Sequence, residues 1–65
     1  MSVVRFDRRG ESGNIFYIIA TASLALRLEC RDSDANQMRT RVMMSKSYDE
    51  ALEIIAEYVD LVEDA

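Results

Sequence analysis

The sequence predicts a mainly α fold, a short N-terminal β-strand followed by three helices, in one small domain spanning residues 1–65. Three observations carry this. Apolar side chains recur at helical spacing through two long segments, 15–28 and 51–62. Helix-start signals stand directly before both of them. One segment, Val3–Phe6, combines β-branched and aromatic residues without a breaker, and the chain holds no proline to interrupt any element.

Val3, Val4, Arg5 and Phe6 read as the strand, and no second convincing strand follows. A lone strand leaves its backbone N–H and C=O groups unpaired. It therefore needs water, a loop or the same strand of another copy, and pairing across a dimer suits it. Asp7 to Gly13 is a polar loop holding the only two glycines, Gly10 and Gly13, where the backbone must turn. Ser12 or Asn14 caps helix one, which runs from about Asn14 to Cys30. Ile15, Ile19, Ala22 and Leu26 form one stripe along it. Phe16, Ala20 and Leu24 form a second, and Tyr17, Leu24 and Leu28 a third. A helix apolar nearly all round is buried on more than one side: one side meets the subunit core, and the other requires a partner.

Arg31 to Ser33 is a polar break. Helix two runs from about Asp34 to Met44, with Ala35, Met38 and Val42 at helical spacing and Arg39 and Arg41 outward. The alternation over residues 39–44 also admits a strand, but helix is the preferred reading. Ser47 and Glu50 stand three apart, directly before an apolar run, and form a capping box that starts helix three. Leu52, Ile55, Val59 and Val62 give its inner face, widened by Ala51, Ile54 and Tyr58. Asp49, Glu53, Glu57, Asp60 and Asp64 give its outer face.

A domain of this size buries only about 60% of the surface its unfolded chain exposes, and such chains usually need a staple. The single cysteine, Cys30, rules out an internal disulfide, and the absence of histidine removes the common zinc sets. No metal site or cofactor is expected. The remaining staple is a second copy of the chain, and 49% hydrophobic residues are ample for a core plus an interface. A homo-oligomer follows, a dimer or an even-numbered assembly, with Val4, Phe6, Phe16, Tyr17, Leu24 and Leu28 as its expected interface. No secretory signal is read in residues 1–10. The longest apolar stretch, Ile15 to Leu28, is interrupted by Thr21, Ser23 and Arg27 and is too short to span a bilayer. The lone thiol fits a reducing compartment, so the expected location is cytoplasmic and off the membrane.

The net charge of −4 hides an asymmetry. Residues 1–46 hold all eight basic residues and five acids, whereas residues 47–65 hold seven acids and no base. The acidic helix Asp49–Asp64 reads first as a solvated face. Its sharper reading is a docking surface for a basic partner protein or for the basic part of another subunit.

Several chemistries are disfavoured. Without histidine there is no Ser–His or Cys–His pair. Cys30 falls at a helix C-terminus, where the dipole disfavours a thiolate, and reads as a small packed residue. The carboxylates crowd one helix face instead of lining a cleft. An enzyme is therefore not expected. Nucleic-acid binding is also disfavoured, because a recognition helix bearing Asp49, Glu50, Glu53, Glu57 and Asp60 would be repelled by phosphates.

One segment has a mechanism for binding a small molecule. Arg8, Arg9, Gly10, Ser12, Gly13 and Asn14 combine two arginines, glycines that admit close approach and the free N–H groups of a helix start, a set that suits an anion such as a nucleotide phosphate. It lacks the lysine and spacing of a P-loop, and Glu11 in its middle opposes an anion. The plainer reading is a capped strand-to-helix turn.

The run Gly10-Glu11-Ser12-Gly13-Asn14-Ile15-Phe16 heads an alanine- and leucine-rich helix. Later come Ala35, Met38, Arg41, Val42 and Ser45, then Ser47-Tyr48-Asp49-Glu50-Ala51-Leu52 and Ile54-Ile55-Ala56-Glu57-Tyr58-Val59. Together, over roughly Val4 to Val59, they resemble small uncharacterised proteins carried by bacterial phages and other mobile elements. The resemblance implies a bacterial cytoplasmic setting and carries over no activity or site residue. The expectation for function is a homo-oligomeric protein-interaction or regulatory module without catalytic activity. The alternative is a small anionic-ligand binder using the Arg8–Asn14 loop.

Overall fold

The computed structural model describes residues 2–64. Strand β1 spans Val3–Phe6, helix α1 Ile15–Leu28, α2 Asp32–Met43 and α3 Tyr48–Ala56, and a second strand, β2, spans Asp60–Glu63. The mainly α class and the N-terminal strand are as expected, and residues 39–43 are helical. Helix three is shorter than expected. It stops at Ala56, and the chain leaves it through Tyr58 and Val59, whose N–H groups both bond to the Ile55 carbonyl. It then continues as β2.

Strands β1 and β2 are parallel, with Val3 opposite Asp60 and Phe6 opposite Glu63. The first strand therefore has a partner within its own chain, contrary to the sequence reading. A parallel pair needs a long crossover, and the three helices supply it. Residues 59–62 carry two periodicities at once, and the helical reading used only one of them. Val59 and Val62 continue a helical stripe, while Val59 and Leu61 share a face in an extended chain. The unpaired backbone of β1 decides for the strand.

Burial alternates along β1, Val4 and Phe6 facing the helices and Val3 and Arg5 facing away. Helix α1 packs on β1, α2 and α3, and α3 packs on β2. The core between them contains Ile18, Ala22, Leu26, Ala35, Met38 and Ile55, each fully buried. The radius of gyration is 10.7 Å, the value of about 10.7 Å expected of a compact chain of this length. One copy thus forms a complete core, and any self-association must come from what that core leaves outside.

Local signals set the helix ends. Asn14 caps α1 by accepting from the Phe16 N–H at 2.8 Å. At the far end Cys30 takes a left-handed conformation, φ 61°. The N–H of Arg31 then reaches the Leu26 carbonyl and that of Cys30 the Arg27 carbonyl, the double closure of a Schellman motif. Cys30 is exposed there, not packed as its small size suggested. Ser47 caps α3 through the Glu50 N–H at 3.0 Å. The Glu50 carboxylate makes no return bond among the described contacts, so only half of the capping box forms.

Candidate interaction surface

Helix α1 turns Ile18, Ile19, Ala22 and Leu26 into the core. At 100° per residue the opposite side of the same helix carries Tyr17, Ala20, Leu24 and Leu28. All four are exposed, Leu24 at 59% and Leu28 at 77% of their full accessibility. Phe16, 70% exposed, flanks this stripe. The two-sided apolar helix is therefore real, and its second side faces outward. Arg27 is exposed on the same side, so the stripe is not unbroken, but large apolar residues grouped on one side of a helix mark an interaction site more often than scattered ones do.

Beside Phe16 the surface dips into an apolar cleft of about 320 Å³, whose lining includes Ile15, Ile19, Val42, Met43 and Tyr48. Met43 and Met44, at the end of α2, are largely exposed and add to the apolar surface. Sequence reading passed over both methionines, although their position directly after the inward Val42 was a signal that they point elsewhere.

Four of the six expected interface residues, Phe16, Tyr17, Leu24 and Leu28, lie on the exposed side of α1. The other two do not. Val4 and Phe6 are 2% and 3% exposed, because a strand covered by helices buries its alternate residues. They belong to the core of one copy and can reach a second copy only through backbone.

The Arg8–Asn14 loop is a tightly self-bonded turn. The Gly10 N–H donates to the Asp7 carbonyl, Gly13 to Gly10, and Asn14 to Glu11. The Arg9 N–H donates to the Asp7 carboxylate, and Ser12 Oγ accepts from the Asp7 N–H. Asn14 is committed to its cap. The Arg8 guanidinium is held by Glu63 at 3.1 Å and Asp49 at 3.0 Å and lies over the Tyr48 ring. These bonds, Glu63 first, drive its pKa further above an already high value. Gly13 is buried, and its carbonyl accepts from the Tyr48 hydroxyl. The loop residues lie together in this turn, and the bonds they make are mostly to one another and to the C-terminal acids.

The acids after Ser47 are likewise partly used within the chain. Asp64 pairs with Arg5 and Glu57 with Arg41, in addition to Asp49 and Glu63 on Arg8. The Arg41 contact is bidentate, at 2.8 and 2.9 Å, and it holds the Glu57 carboxyl below the usual carboxylate range. Arg41 also donates to the Tyr58 hydroxyl, which in turn bonds Gln37. Arg31 joins Glu29 and Asp34 and reaches the Tyr58 carbonyl. Among the described residues, no group of three or more cysteine or carboxylate side chains converges as a metal site would require. No described helix is long and apolar enough to cross a membrane. Comparison of the chain with protein-family models, with curated sequences and with solved structures finds no match.

Proposed function

We propose that the chain is a homo-oligomeric interaction module without catalytic activity, which associates through the exposed side of α1. The observation that carries this is the stripe of Tyr17, Ala20, Leu24 and Leu28 opposite a core that is already complete. Fully burying a leucine side chain gains about 1.5–3 kcal/mol. Two copies of the stripe meeting about a two-fold axis bury four leucines, enough to offset part of the cost of association.

The test is Leu24→Lys, followed by light scattering and far-UV circular dichroism over a range of concentrations. Leu24 touches solvent and not the core, so the helical signal should persist while the assembly falls to monomer. A wild-type chain that is monomeric at every concentration, or a Leu24→Lys chain that still associates, overturns the reading.

A further inference from the structure

The two strands are joined by a ladder with open outer edges. The Asp60 N–H bonds the Ser2 carbonyl at 2.8 Å and the Asp64 N–H bonds the Phe6 carbonyl at 2.7 Å. In a parallel ladder alternate residues aim both backbone groups at the same neighbour. With this register Ser2, Val4 and Phe6 serve β2, and Val3 and Arg5 aim their N–H and C=O groups the other way. Neither residue's backbone has a hydrogen-bond partner among the described residues. The outer face is also bare, Val3 being 56% exposed, whereas all-parallel sheets normally have both faces covered. Because α1 packs on β1 and α3 on β2, the helix with the apolar stripe is the one that flanks the open edge of β1.

Three pairings between copies are available to these edges. Joining β2 to β2 sets Asp60, Glu63 and Asp64 of both copies along one seam with no base on either strand, and like charges directly opposite are destabilising. Joining β1 to β2 is head-to-tail, and each copy added leaves a fresh edge. Joining β1 to β1 in the antiparallel sense closes on itself. Of its registers, the one centred on Val4 sets each Val3 opposite an Arg5 and separates the two arginines. Each Val3–Arg5 pair then exchanges both of its N–H···O=C bonds.

We propose that the outer edge of β1 pairs with β1 of a second copy, antiparallel about a two-fold axis between the two Val4 residues. The product is a four-stranded sheet ordered β2-β1-β1-β2 with the two α1 helices side by side over its centre. The proposal rests on the self-association reading above and specifies where the second copy sits.

Directly opposite residues of a bonded antiparallel pair have Cα atoms about 5.5 Å apart, within disulfide reach. The test uses a Cys30→Gly background, since Cys30 is exposed and its positive φ suits glycine. In that background Val3→Cys with Arg5→Cys should give a covalent dimer as the main product on mild oxidation, and either substitution alone should leave mainly monomer. Hydrogen exchange on the unmodified chain supplies a second reading. The Val3 and Arg5 amides should be protected at high concentration and lose protection on dilution, while the Val4 and Phe6 amides stay protected throughout.

Cross-linking by Arg5→Cys alone, a ladder of species above dimer, or concentration-independent exchange at Val3 and Arg5 overturns the proposal. If these results appear while Leu24→Lys still dissociates the wild-type assembly, the α1 interface stands and the strand pairing fails. A chain monomeric throughout removes both.

Discussion

Gly13 and Gly10 sit three residues apart in one turn, and the structure assigns them opposite sensitivities. A methyl group at position 13 would come within 2.3 Å of the Asp7 carbonyl oxygen and 2.7 Å of the Arg8 Cα and carbonyl oxygen. All three are backbone atoms, so no side chain can swing away to relieve the contact. Relief requires moving residues 7 and 8, which follow directly on β1 and include the arginine that grips Glu63 and Asp49. Overpacking of this kind costs about 1–3 kcal/mol, and a backbone obstacle belongs in the upper half of that range. At position 10 the nearest atoms are 3.7–3.8 Å away, ordinary contact, and φ is −106°, which any residue adopts. Gly10→Ala should therefore stabilise by about 0.4–1 kcal/mol through the unfolded chain. With an unfolding entropy of about 2.1 cal/mol/K per residue, 1 kcal/mol moves the Tm of a 65-residue chain by about 7 °C. Gly13→Ala should thus melt about 15–20 °C below the wild type, and Gly10→Ala a few degrees above it. The assay is thermal and urea denaturation followed by circular dichroism at one fixed protein concentration, because association contributes to apparent stability. A Gly13→Ala variant within about 0.5 kcal/mol of the wild type, or a Gly10→Ala variant that is the weaker of the two, refutes the reasoning.

Two further predictions rest on single contacts. Ser47→Ala removes the hydroxyl that accepts from the Glu50 N–H and should cost about 1 kcal/mol in urea denaturation; a loss under about 0.3 kcal/mol means the cap does not help start α3. The Glu57 carboxyl is held low by its hydrogen bonds to Arg41. Its contribution to stability is thus fully present above the ordinary carboxylate pKa and is lost as pH falls through the lower folded-state value. Carbon NMR titration should show the Glu57 midpoint rising in Arg41→Ala, and a midpoint that does not move would show that Arg41 is not the cause.

The parts of the fold that could be read from the sequence were those governed by neighbours along the chain. Asn14 and Ser47 cap helices because their side chains reach N–H groups two or three residues on. The exposed stripe of α1 was legible for a related reason: a helix with apolar residues on all sides has more apolar surface than one core can take. The second strand was not legible. Its partner lies at the opposite end of the chain, and residues 59–62 satisfy a helical and an extended periodicity equally well. The same non-local fact hid the destination of Arg8, whose two acids come from α3 and β2. It also hid the two roles within β1. Val4 and Phe6 share a face, as alternation alone could have shown, but only the position of the helices makes that face the inner one. The glycines marked a turn, and a turn is what they form. Which of the two has no room for a side chain was not legible, because the obstacle at Gly13 is the backbone of Asp7 and Arg8.

The charge asymmetry of the chain acquires a physical account from the same arrangement. Arg5 and Arg8 meet Asp64, Glu63 and Asp49 at 2.9–3.1 Å because the fold lays the basic start of the chain beside its acidic end. Each pair is exposed, and exposed pairs contribute only about 0–1 kcal/mol, so together they are a minor source of stability. Their effect is on register. Sliding β2 by one residue along β1 would turn Leu61 outward, and the apolar pattern excludes it. Sliding it by two restores the inward face but brings Glu63 to the place of Leu61 in one direction, or Glu57 to the place of the fully buried Val59 in the other. That slide also moves each acid about 6.6 Å along the strand and takes Asp64 and Glu63 out of contact with their arginines. The short apolar run Val59–Leu61 thus chooses both face and register, and the ion pairs add to that choice. Glu50, Glu53 and Asp60 have no ion-pair partner among the described residues. Of the acids after Ser47, those left without a cation therefore lie on α3 and at the start of β2.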